Sequence, residues 1–297
     1  MRDDLARAIR EMPTELSRET ISATKALFAP LQEARPYRDL TLTRDVKYGP
    51  HERHRLDIFS TGPDTGKPVF VFVHGGGFVG GDKSDQSGPY PYYENLGVWA
   101  ARHGYVGVTI TYRRAPEFLW PSGAEDIGSA LTWLRANVAA HGGDPEKIVL
   151  MGQSAGATHV ASYAGLERFH AAPGGGVAGL IVLSGVYDFV LFGPSESLVA
   201  YLGDRRRSAE ATPLTGLAAS PLPLLFGNSE FDPPEFHAQA KALYDARYAQ
   251  RERSPDYQYL PGHNHISQVA HLNASWTDEN LLSERLEGFV SRVTATR

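Results

Sequence analysis

Ser154 stands in Gly152-Gln153-Ser154-Ala155-Gly156, after the apolar run Ile148 to Met151 and before Ala157 to Leu166, which reads as a small-residue helix. A strand that turns straight into a helix at one residue strains that residue's backbone and leaves room only for glycine or alanine two places either side. The outcome is a hydroxyl held clear of the sheet at a helix N-terminus. Such a hydroxyl attacks a carbonyl once a base takes its proton, and the base needs a carboxylate to fix its tautomer and steady its charge. Gly-x-Ser-x-Gly recurs by chance; the strand before it and the helix after it give it weight.

In a strand–elbow–helix arrangement of this kind the acid and then the histidine follow the serine, each at the end of a later strand. Pro223 to Gly227 reads as a strand and runs into Asn228-Ser229-Glu230-Phe231-Asp232, with Pro233-Pro234 opening a helix. Asp232 is the preferred acid and Glu230 the alternative; for either one, plain helix capping is the bland reading. The next strand ends in Leu260-Pro261-Gly262-His263-Asn264-His265. Proline and glycine make this a loop at the same rim, where one of the two histidines serves as base. A zinc reading of His263, His265 and His271 also exists, but it explains neither the elbow nor the glycine run described next.

That run is His74-Gly75-Gly76-Gly77, directly after the strand-like Pro68 to His74. Acyl transfer passes through a tetrahedral oxyanion, and backbone N–H groups fixed around it lower the barrier by a few kcal/mol each. The glycines supply two such donors and Ala155 a third. Gly75-x-Gly77-x-x-Gly80 also fits a dinucleotide fingerprint, but that pattern opens a helix, whereas Phe78 to Tyr92 is polar and rich in glycine and proline. Gly62 to Lys67 has the look of a phosphate loop, one residue short and with Pro68 where Ser or Thr is needed.

The elements that must position these groups alternate. Thr41 to Tyr48 and Arg53 to Phe59 read as a half-exposed hairpin. Pro68 to His74 and Tyr105 to Tyr112 are continuous β-branched and aromatic runs, as in strands buried on both faces. A helical stripe covers Asp126 to Ala139, and Leu180 to Val186 and Tyr257 to Leu260 add strands. Helices follow over Phe236 to Arg251 and Asn280 to Val293. Strands alternating with helices give an α/β fold, a mostly parallel central sheet covered on both sides. Residues 1–35 form an N-terminal helical arm packed on the main domain of residues 36–297. Within that domain, 187–221 is too long for a plain connection. Phe189, Leu191, Phe192, Leu198 and Tyr201 make it a lid or pocket wall, with Ser197 to Leu202 helical.

The chain has 297 residues, 42% hydrophobic and 21% charged, with a net charge of −5. That balance gives no electrostatic case for nucleic acid, and the one basic run, Arg205-Arg206-Arg207, reads as a solvated face. Without cysteine there are no disulfides, thiolate nucleophiles or cysteine-bound metals. The N-terminus lacks the apolar core of a signal peptide, and no run approaches the roughly 18 apolar residues of a membrane span. A cytoplasmic location is the expectation.

With the motifs placed, the chain resembles the hormone-sensitive-lipase-like branch of the α/β-hydrolase superfamily, and within it the small esterases grouped with kynurenine formamidase and bacterial feruloyl-esterase-like enzymes. The likeness runs from about residue 40 onward. It rests on His74 to Phe78, Tyr112-Arg113-Arg114-Ala115-Pro116-Glu117, Gly152 to Gly156, Ser184-Gly185-Val186-Tyr187-Asp188 and Asp232-Pro233-Pro234-Glu235-Phe236. The resemblance implies Gly76 and Gly77 as oxyanion donors and Asp232 as acid. It favours His265 over His263 as base, because His265-Ile266-Ser267 matches the family's pattern after the histidine. The expectation is therefore a cofactor-free serine esterase acting on small to medium carboxylic esters, with Phe78, Tyr92, Trp120, Phe189, Phe192 and Tyr201 as candidate pocket residues. Core packing is the bland reading of each aromatic. An arylformamidase on the same machinery is the alternative, and a non-catalytic hydrolase-fold binding protein the more distant one. The expected partner is a small-molecule ester or formamide, with no nucleic acid, no membrane and a homodimer left open.

Overall fold

The computed structural model describes residues 3–33, 35, 37–62, 64–86, 90–274 and 281–295. Among these, eight strands form one sheet: β1 (Thr41–Lys47), β2 (Arg55–Ser60), β3 (Lys67–Val73), β4 (Val106–Ile110), β5 (Gly143–Gln153), β6 (Gly179–Leu183), β7 (Leu224–Phe231) and β8 (Asp256–Asn264). Their order is β1-β2-β4-β3-β5-β6-β7-β8. β1 and β2 pair antiparallel, as does β2 with β4, and every pairing from β4 to β8 is parallel.

Side chains of a strand alternate between faces, and here both faces are apolar. Val69, Val71 and Val73 of β3, Ile148 and Leu150 of β5 and Leu180 and Val182 of β6 join one core. Phe70 and Phe72, Val149 and Met151, and Ile181 and Leu183 join the other. This two-sided burial is why the sequence shows unbroken apolar runs instead of alternation.

Helices α1 (Asp3–Arg10) and α2 (Arg18–Phe28) form the N-terminal arm; α3 (Glu94–Arg102), α4 (Ser122–Asn137), α5 (Ala155–Gly165), α10 (Pro234–Arg251) and α12 (Leu281–Thr294) cover the sheet. Four short helices fill the insertion after β6: α6 (Phe189–Phe192), α7 (Glu196–Leu202), α8 (Ser208–Ala211) and α9 (Leu214–Ala219). The last, α11 (Ser267–Ala270), follows β8. The N-terminal arm buries Leu5, Ile9 and Phe28 in the second core. It is tied down by Gln32, whose amide donates to the carbonyls of Ala270 and Leu272, and by a 2.5 Å ion pair between Lys25 and Asp85.

Several elements differ from the sequence reading. β5, β7 and β8 run longer than expected, so Glu230 and His263 lie in strands, and Pro261-Gly262 are carried inside β8 next to a register shift against β7. Helix α3 carries no sequence prediction at all. Glu94 to Ala101 are buried without exception, so no polar face exists to create a helical period. Asn280, the expected start of α12, lies outside the described residues. In the insertion Phe189, Leu198 and Tyr201 are buried, but Val190 and Leu191 are exposed. Arg207 is not a solvated residue: its guanidinium lies 5.1 Å over the Trp120 ring and donates to the Leu202 and Trp120 carbonyls. No described helix is long and apolar enough to cross a membrane.

Candidate active site

Three adjacent parallel strands and their neighbour end at one rim, and each candidate group sits one residue past its strand. Ser154 follows β5, Asp232 follows β7 and His265 follows β8. Ser154 has φ 57° and ψ −127°, a region that costs a non-glycine residue on the order of 1–3 kcal/mol and persists only when its surroundings hold it. They do so from both sides. The Ser154 N–H donates to Leu183 O of β6 at 2.9 Å, and Ser154 O accepts from Thr158 N at 3.1 Å. A Cβ on Gly152 would overlap the Gly156 carbonyl, and one on Gly156 would overlap the Val73 and His74 carbonyls. The two glycines are therefore required by close approach of β3, β5 and α5.

His265 and Asp232 are both 2% exposed. The His265 Nδ1–H donates to Asp232 Oδ1 at 2.6 Å. Asp232 Oδ2 accepts from the Ser229 N–H at 2.7 Å and from the Ser184 hydroxyl at 2.6 Å. Three donors on one carboxylate leave it no freedom to rotate. Because Nδ1 carries the proton, Nε2 is the basic nitrogen of the ring. That atom is buried and has no hydrogen-bond partner among the described residues, Ser154 Oγ included.

The rival groups are occupied elsewhere. Glu230 accepts from the Gly262 N–H at 2.7 Å and so pins the approach to the histidine pair. His263 turns toward Ser267 Oγ at 3.2 Å and packs against the His271 ring with centroids 4.2 Å apart and planes tilted by 40°. Burial, with His271 beside it, pushes its imidazole well below the usual histidine range. His263, His265 and His271 therefore do not converge, and no group of three metal-ligating side chains occurs among the described residues.

The glycine run borders the serine. A Cβ on Gly75 would lie 3.1 Å from Ser154 Cβ, 2.8 Å from the Tyr93 hydroxyl and 2.7 Å from Gln153 Oε1, so Gly75 is the glycine that abuts the nucleophile candidate. Gly76 and Gly77 have φ of 132° and 58°, where the absence of a side chain is what permits the turn. The turn is braced by Gly80 N donating to Gly76 O at 2.9 Å and Ala115 N to Phe78 O at 3.1 Å. The Tyr112 hydroxyl donates to His74 O at 2.9 Å while its ring stacks on the His74 imidazole. Burial pushes His74 down to about 3, and His159 likewise to about 3, so neither adds charge beside the site. Ala155 is buried at the first position of α5.

Of the six aromatics, Phe78, Trp120, Phe189, Phe192 and Tyr201 gather in one cluster with Ala155 and Phe236. Phe78 stacks face to face on Tyr201 at 4.5 Å, and Phe236 lies 4.5 Å from the His265 ring. Tyr92 is a correction. It packs instead in the core with Phe70, Phe72 and Trp99, where its backbone bridges to Asp85 and its hydroxyl donates to the Ile266 carbonyl. Its ring carries the Lys25 ammonium at 4.6 Å. Sequence reasoning also missed Gln153 and Tyr93: the Tyr93 hydroxyl donates to Gln153 Oε1 at 3.0 Å, and Gln153 Nε2 donates to His265 O at 2.9 Å. The x of Gly-x-Ser-x-Gly offers no pattern from which that reach is readable.

An eight-stranded, mostly parallel sheet with a strained serine between β5 and α5, and an acid and a histidine past β7 and β8, is the α/β-hydrolase fold. Residues 56–185 match the family BD-FAE. Esterase LipQ of Mycobacterium tuberculosis is 30% identical over 250 residues, covering 77% of this chain and 58% of that protein. The probable carboxylic ester hydrolase LipM of the same organism is 36% identical over 174 residues, 54% of this chain and 38% of that one. The chain thus spans about two fifths to three fifths of the length of these relatives. Among solved structures, a hyperthermophilic esterase from Pyrobaculum calidifontis superposes with a TM-score of 0.71 at 18% identity, covering 99% of this chain and 98% of that one. EstE1, a carboxylesterase from a metagenomic library, does so at 0.68 and 20%, covering 97% and 98%. At such identities the likeness is one of fold.

Proposed function

We propose that the chain is a serine hydrolase that cleaves small to medium carboxylic esters through an acyl-enzyme. The observation that carries the reading is the His265–Asp232 bond, with Nδ1 committed to the carboxylate and a buried Nε2 without a partner among the described residues at the rim that bears Ser154. Ser154 Oγ attacks the ester carbonyl carbon as His265 Nε2 takes its proton. Gly76, Gly77 and Ala155 N–H groups receive the oxyanion. His265 then protonates the departing alkoxide, and the Ser154 acyl ester remains. Water, deprotonated by the same Nε2, attacks that ester, releases the carboxylic acid and restores the hydroxyl. Asp232 holds the tautomer and stabilises the imidazolium. Apolar Phe78, Trp120, Phe189, Phe192 and Tyr201 favour a neutral substrate. The names of the relatives LipQ and LipM point to the same reaction class.

The test is active-site labelling combined with turnover. A fluorophosphonate should modify Ser154 alone, as read by peptide mass spectrometry, and 4-nitrophenyl acetate should be hydrolysed. N-formylkynurenine, assayed in parallel, decides between ester and formamide. Labelling at no residue, together with no hydrolysis of either compound, would end the reading.

A further inference from the structure

We infer that Ser184 and Gln268 are positioning residues that lock the acid and the base against each other through a closed ring of hydrogen bonds. The inference rests on the triad reading above. Starting at Asp232, the ring runs from Oδ1 to His265 Nδ1 at 2.6 Å. It passes through His265 to its own carbonyl, which accepts from Gln268 Nε2 at 2.7 Å. Gln268 Oε1 then lies 3.1 Å from Ser184 Oγ, and Ser184 Oγ lies 2.6 Å from Asp232 Oδ2. All four residues are at most 2% exposed, so water does not compete for these atoms.

The donor inventory fixes the directions around the ring. A carbonyl only accepts, so the Gln268 amide must turn its nitrogen to His265 O and its oxygen to Ser184. The Ser184 hydroxyl has one proton and faces two acceptors. It shares that proton between them, Gln268 Oε1 taking the longer and weaker branch and the charged, nearer Asp232 Oδ2 the main bond. That bond and the Ser229 N–H hold one carboxylate oxygen from two sides, which leaves the other aimed at Nδ1. Gln268 meanwhile fixes the main chain of the base, aided by Gln153 Nε2 on the same carbonyl.

The backbone of Ser184 points to the same role. Its φ is 48°, a left-handed conformation that serine adopts at a cost. It lies one residue past β6, with its N–H on Gly227 O at 2.9 Å. A strand end that needed only a turn would carry glycine there. The serine keeps a hydroxyl at the one place from which it reaches Asp232.

Ser184→Gly is the informative substitution, because glycine accepts the positive φ and removes only the hydroxyl. Gln268→Met provides a second break in the ring at similar volume. Both variants should keep the thermal midpoint within a few degrees of the parent. On 4-nitrophenyl acetate each should lose about tenfold in kcat with KM changed less than about twofold, the pattern of a group that acts on the reacting geometry and not on binding. The independent readout is the far-downfield NMR resonance of the His265 Nδ1–H, observable whether or not the protein turns over an ester. In both variants it should shift upfield or broaden. An unshifted resonance, or parental kcat, in folded Ser184→Gly would overturn the proposal. A parent protein that hydrolyses no ester would instead overturn the proposed function, while the resonance comparison still decides this one.

Discussion

Thr24 and Asn264 are 240 residues apart in the chain and share a buried 2.9 Å hydrogen bond, the asparagine amide donating to the threonine hydroxyl. Asn264 lies between the two candidate histidines, and its Oδ1 accepts from the Ile266 and Ser267 N–H groups. The N-terminal arm therefore fastens the segment that carries the proposed base, a role the sequence does not announce. Thr24→Val would leave the Asn264 amide buried without its main acceptor, at a cost of about 1–3 kcal/mol. The urea midpoint should fall accordingly, and an unchanged midpoint would mean that the arm contributes nothing here.

The two histidines are separated by what each touches. His265→Ala should reduce kcat/KM by about three orders of magnitude or more, whereas His263→Ala, which removes a ring packed against His271, should leave at least a tenth of the activity. Steady-state assays on 4-nitrophenyl acetate check this, and the reverse ranking would transfer the role of base.

A matching pair distinguishes the acids. Asp232→Asn replaces the acceptor of the His265 Nδ1–H and should cost about three orders of magnitude in kcat. Glu230→Gln keeps an oxygen for the Gly262 N–H and should remain within about tenfold of the parent. Equal losses in the two variants would contradict the geometry.

Acid should unfold the protein through histidines outside the reaction. His74 and His159 titrate at about 3 when folded, because burial disfavours their charged forms. An unfolded histidine titrates near 6.5, so below that pH the unfolded chain binds more protons. Their stabilising contribution is complete above pH 6.5 and is lost as pH falls toward 3, by about 2 kcal/mol per histidine at pH 5. Urea midpoints at pH 7 and pH 5 measure the drop, and His159→Gln should make it smaller. A drop of the same size in that variant would remove His159 from the account.

Gly156→Ala tests the packing behind the elbow. The added methyl would meet the Val73 and His74 carbonyls of the strand beside it, and backbone cannot yield as a side chain does. A loss of about 3 kcal/mol or more is expected, measured by urea unfolding, together with loss of fluorophosphonate labelling. An unperturbed midpoint would show that β3 and α5 have room to separate.

The sheet was legible because its strands are buried on both faces: Val69 to Val73, Val106 to Ile110 and Ile148 to Met151 read as strands without any partner in view. The elbow was legible because strain and close approach demand glycine at fixed offsets from Ser154. What the residues did not reveal depends on long-range encounters. Tyr92 looks like any pocket aromatic until the fold packs it in the core with Phe70 and Trp99. Helix α3 has no exposed face to give it a period. Arg207 reads as part of a basic run until Trp120 arrives beneath it, and the reach of Gln153 to the His265 carbonyl needs the folded rim.

The placement of helices α6 to α9 has a practical corollary. They interrupt the chain between β6 and β7, so neither the elbow after β5 nor the histidine segment after β8 is spliced into them. A designer can graft a foreign stretch between Asp188 and Thr212 and leave the candidate groups on their own supports, provided α9 stays, because its Gly216 packs against Gly165 of the elbow helix. Selectivity then becomes an exchangeable cassette, and chemistry the fixed chassis.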